Sequence, residues 1–172
     1  MSQQPQTSVT HVLLKGSFGT FGYNPQLKCM FHLWKGFLSL DEVKKVAETT
    51  NPYIARGITN VIADHRNMEM FSEEVSAYIA NTWLPAMEKL GAQTTFVVMS
   101  PESFTQLSAE EMHENAKSQS SIDIRHFGSL EAALEAMQEY CERETGIRRP
   151  ETGGRETGGG VPSVGRDVAA VA

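Results

Sequence analysis

The chain has 172 residues, 40% of them hydrophobic, enough to fill one core and to leave some chain over. Its formal charge of −6 opposes non-specific attraction to nucleic acid and to anionic lipid surfaces, both of which need clustered Lys and Arg. Cys29 and Cys141 sit far apart in unlike contexts and suggest neither a disulfide framework nor a CxxC site, and no apolar run approaches a membrane span, so a soluble cytoplasmic protein is expected.

Residues 1–10 are polar, lack the basic and apolar regions of a leader, and are expected to be disordered. Residues 12–23 have strand character interrupted by Gly16, Gly19 and Gly22, which predicts a single bulged or edge strand. A turn at residues 23–26 then leads to a second strand over 28–34, completing a hairpin. Ser39 and Glu42 have capping-box spacing, and Leu40, Val43, Val46 and Ala47 form the inward stripe of a helix expected to end near Thr50, with Pro52 and Gly57 punctuating the link onward.

A third strand is predicted over 59–64, an interior strand that delivers Asp64, His65 and Arg66 to a polar crossover. Ser72 caps the strongest helix of the chain. Val75, Tyr78, Ile79, Trp83, Met87 and Leu90 fall at helical spacing behind acidic Glu73 and Glu74, and Gly91 ends the run. Pro85 within it should loosen the turn around Asn81. Residues 94–99 form a continuous β-prone run, 100–117 read as helix with a second capping box at Ser108, 122–127 as a fifth strand, and Ser129 caps a last helix.

The domain is expected to span 11–144. Residues 145–160 repeat Glu-Thr-Gly-Gly with nothing apolar to bury and predict a flexible linker, while 161–172 regain small apolar residues. That terminal peptide has two readings: a disordered end, or a docking segment held on a tether, with Val161, Val164, Val168 and Val171 as its contacts.

The order of elements, together with Leu33-Trp34-Lys35-Gly36-Phe37, Val61-Ile62-Ala63-Asp64-His65-Arg66, Phe71-Ser72-Glu73-Glu74-Val75, Phe96-Val97-Val98 and Ile124-Arg125-His126-Phe127, resembles the STAS-like family, named for sulfate transporters and anti-sigma factor antagonists. The nearer likeness is to its small bacterial branch, described as joining STAS and CRAL-TRIO lipid-exchange folds. The resemblance implies a single α/β domain with a mixed five-stranded sheet and about four helices, acting as a non-enzymatic interaction module. It also implies a regulatory serine at the position of Ser72, as in the antagonists. Here, however, Phe71 replaces the motif's aspartate, and Glu73 and Glu74 would repel a phosphate of about −2 charge.

Asp64, His65 and Arg66, joined by His126 if the strands are neighbours, are the candidate ligand or partner site, because open α/β sheets place ligands at strand carboxyl ends. An acid–base pair of Asp64 and His65 is the enzymatic reading, weakened by the lack of an accompanying nucleophile. The five histidines have no i, i+4 pairing, so no metal or cofactor is expected. Numerous Met and Phe residues leave two readings open, ordinary core packing and a pocket for a small apolar lipid or acyl ligand. A protein partner is expected, with self-association a further option.

Overall fold

A computed structural model describes residues 9–69, 71–100 and 120–146. The fold is α/β, with one six-stranded mixed sheet in the order β1 (His11–Gly16), β2 (Gly19–Asn24), β3 (Cys29–Gly36), β4 (Asn60–Met68), β5 (Thr94–Val98) and β6 (Asp123–Phe127). β1, β2 and β3 are antiparallel, and β3 to β6 run parallel.

Six strands replace the expected five because residues 12–23 are two strands folded about Ser17 and Phe18. Gly19 permits the turn: its φ is +143°, and a Cβ there would lie 2.2 Å from the Leu33 carbonyl oxygen. The edge and bulge expected of the segment are both present, since β1 is an outer strand and its register shifts between Val12 and Leu14.

Helix α1 (Leu40–Ala55) links β3 to β4 and opens on the full Ser39 and Glu42 capping box. It continues through Pro52 instead of stopping near Thr50. Burial of Ile54 and the contact of Tyr53 with Tyr23 hold the last turn, which forgoes only the single amide that proline lacks. Between β4 and β5 the chain forms α2 (Glu73–Tyr78), a π turn (Ile79–Trp83) and α3 (Leu84–Lys89) without a break. The Leu84 amide donates to the Ile79 carbonyl, widening the helix where Pro85 would otherwise crowd the Asn81 carbonyl. This is the loosening expected around Asn81. Gly91 follows with φ +105°. The last helix, α4 (Leu130–Thr145), is capped by Ser129 and closed by Gly146 at φ 65°.

Two cores lie on the two faces of the sheet. Phe21, Met30, Trp34 and Val61 pack against Val43, Val46 and Ile54 of α1 and against Val75, Trp83 and Met87. Phe31, Ile62, Phe96 and Val98 pack against Leu130, Ala133 and Met137 of α4. Strands β3 to β5 advance one place at each crossover, and right-handed crossovers put α1 and the α2–α3 segment on one face. The chain after β6 returns over the other. Full burial of Phe21, Phe31 and Phe96 contributes about 2 kcal/mol each, so both cores carry weight.

Among the described residues there are three helical stretches. The expected helix over 100–117 lies almost wholly outside the described residues, as do the N-terminal residues 1–8, the linker from 147 and the terminal peptide with Val161, Val164, Val168 and Val171. Among the described residues no helix is long and apolar enough to cross a membrane.

Candidate functional site

Strand β4 does not end at Asp64, as the sequence suggests. It runs on to Met68, pairing Asn67 with Lys35 and Met68 with Gly36 after a bulge, so Asp64, His65 and Arg66 belong to an interior strand and not to a crossover. Strand alternation then sends Asp64 and His65 to opposite faces. The register partner of Asp64 is Leu33, which packs with the α4 core, whereas His65 meets Phe71, which packs with the other. The acid–base pairing of the enzymatic alternative is therefore not assembled.

Asp64 is buried, and its carboxylate is engaged at three points: Oδ1 accepts from the Arg66 backbone amide at 3.1 Å and from Nε at 3.0 Å, and Oδ2 accepts from Nη2 at 2.7 Å. The carboxylate raises the Arg66 guanidinium above its ordinary value. To act as a base Asp64 would first have to release this fork, whose two-point geometry is the strong form of such a pair.

Asp64 and Arg66 form one wall of an open groove of about 400 Å³. One cross-strand row, Lys15, Thr20, Leu33 and Asp64, runs along it. Lys35, Asn67, Trp34 and Leu130 complete the lining with the hairpin glycines Gly16 and Gly19. The Lys35 amide donates to the Phe18 carbonyl at 2.9 Å, which ties the hairpin tip to the end of β3. Helix α4 packs on β4, β5 and β6, and Thr20 and Leu33 stay only half-buried. Two residues past Lys35, the Phe37 side chain is 62% exposed, a large apolar group left in water beside this edge.

Three imidazoles occupy the opposite face. His32, Ala63, Val97 and His126 form one cross-strand row, and His65 lies two residues beyond Ala63 on the same side. His32 is 3% exposed, lies tilted with its ring centre 5.3 Å from that of Trp83, packs near Trp34 and Phe21, and leaves Nε2 without a hydrogen-bond partner. Burial pushes its imidazole down to about 3, with His65 adding to the fall. His65, half-buried against Phe71, is pushed down to about 4 by burial; the Asp64 carboxylate opposes that shift and His126 adds to it. Both are neutral near pH 7. No three His, Cys, Asp or Glu side chains among the described residues converge as a metal site.

Ser72 caps α2 as predicted, its hydroxyl accepting from the Val75 amide at 3.2 Å. Of the expected site residues, Asp64 and Arg66 are brought together and face the groove, while His65 and His126 share the far side of the sheet. Sequence reasoning passed over Lys15, Lys35 and His32. Register alone places the lysines on one groove, and His32 reads from its neighbours as one more residue of a buried strand. The chain matches no protein-family model, no curated protein and no solved structure.

Proposed function

We propose that this chain is a binding module, a STAS-like protein-interaction domain and not an enzyme, and that it makes contact through the groove between the β1–β2 hairpin and the carboxyl ends of β3 and β4. The observation that carries this reading is the three-point hold of Arg66 on Asp64: the buried Asp64 carboxylate at the sheet's carboxyl edge is used to build the groove wall. Lys15, Lys35 and the exposed Phe37 supply the charge and the aromatic surface that interfaces favour. The Phe and Met residues that left an apolar ligand open are, for Phe21, Phe31, Phe96, Met30, Met87 and Met137, accounted for by the two cores. A tethered contact by the terminal peptide at Val161, Val164, Val168 and Val171 is compatible with this role.

The test is affinity capture with the full chain, a K15E/K35E/F37A variant and a chain lacking residues 161–172. Loss of the same partner from the triple variant supports the groove; loss only from the shortened chain moves the contact to the tail. A partner held equally by all three, or a substrate turned over by the full chain and no longer by an Asp64→Asn variant, would sink the reading.

A further inference from the structure

Lys15, Lys35 and Arg66 line the groove with one carboxylate, that of Asp64, and Glu131 beside the lining acts on Arg66, in a chain whose formal charge is −6. Arg66 and Asp64 satisfy one another, which leaves the two exposed lysines as the groove's net charge. Between them lie Thr20 and Leu33, half-buried, with Leu130 alongside; the Trp34 ring packs in the core on the other face. We infer that the groove takes an extended acidic segment of a partner protein, with one carboxylate at Lys15, one at Lys35 and an apolar side chain between them over Thr20 and Leu33. This rests on the binding-module reading above and names its ligand.

The spacing follows from the sheet. Lys15 lies two strands from Leu33 in one row, and Lys35 lies two residues further along β3 on the same face. Two strand separations across and two residues along come to roughly 12 Å. In an extended peptide, positions i, i+2 and i+4 share a face, and i to i+4 spans roughly 13 Å. The segment that fits therefore reads acidic, any, apolar, any, acidic.

The probes are fluorescein-labelled Gly-Glu-Thr-Leu-Thr-Glu-Gly and its counterpart with both Glu replaced by Gln, titrated by anisotropy against the full chain at about 50 mM salt. The acidic peptide should bind about tenfold more tightly than the Gln peptide, and K15E/K35E should lose about tenfold, since two exposed charge pairs are worth that much together. Amide resonances of Lys15, Thr20, Leu33 and Lys35 should shift on titration. Equal affinity for both peptides, shifts confined to other residues, or competition by inorganic phosphate at the peptide's own concentration would overturn the inference. If K15E/K35E/F37A loses the captured partner while the acidic peptide fails to bind, the ligand class is wrong and the groove stands; if that variant keeps the partner, the groove itself is wrong. Both lysines are exposed, so an unchanged thermal melt of the charge-reversed protein confirms that it remains folded.

Discussion

Replacing His32 by phenylalanine should make the fold less sensitive to acid. His32 is enclosed by Phe21, Trp34 and Trp83; its Nε2 has no partner, and His65, which acts on it electrostatically, carries the same sign when protonated. Its imidazole titrates near 6.5 in the unfolded chain and at about 3 in the fold. Between those values the unfolded chain binds the extra proton and the folded chain does not, so stability falls as pH falls through 6.5 and levels off only near 3. At about pH 5 the unfolded imidazole is largely charged, and linkage puts the loss at about 2 kcal/mol relative to pH 7.5. That is a sizeable part of the margin of a small domain. Urea denaturation followed by tryptophan fluorescence at several pH values between 7.5 and 5 measures it in both proteins. Strain from the larger phenyl ring shifts the whole curve of the His32→Phe variant without changing its slope, and His65 contributes to both curves alike. Parallel stability curves would refute the reasoning, because they would mean that the buried nitrogen finds a proton or a water in the fold.

Three further substitutions probe the framework of the groove. A Cβ at Gly22 would meet the His11 carbonyl oxygen at 2.2 Å, so Gly22→Ala should pry β1 from β2, seen as fast amide exchange along His11–Gly16 with β4 and β5 still protected. Ser39→Ala removes the hydroxyl that accepts from the Glu42 amide, leaves the Ser39 backbone amide on the Glu42 carboxylate, and should lower stability by about 1 kcal/mol in chemical denaturation, while Ser39→Asp retains most of it. Asp64→Asn leaves the Arg66 fork without its charge partner; a loss of about 1 kcal/mol is expected, together with weaker protection of the Arg66 amide in hydrogen exchange.

The features that were legible in the sequence are those decided within a few residues. Ser39 with Glu42, Ser72 and Ser129 each announce a helix start because a cap closes over three residues, and all three hydroxyls accept the bond expected of them. Pro85 announced the loosened turn at Asn81 because a missing donor acts on the preceding turn alone. The Thr94–Val98 run was legible because a strand buried on both faces needs no alternation. Local rules failed where distant chain takes part. Pro52 alone says the helix stops, and only the packing of Ile54 and Tyr53 carries it on. Asp64 at the end of an apolar run says the strand stops, and only the end of β3 alongside extends it to Met68.

The candidate site divides in the same way. Asp64 and Arg66 stand two apart, so one strand sets their meeting, and the sequence already marked both. Lys15 and Lys35 are twenty positions apart and become neighbours through the pairing of three strands; a one-residue slip in any of them would turn a lysine to the other face. By itself the order of residues determined where helices begin and that a layered α/β body would form, because those choices are settled by short-range sterics and hydrogen bonding. Tertiary structure alone decided the sixth strand, the enclosure of His32 and the charge of the groove, because each depends on which distant backbone the sheet sets alongside.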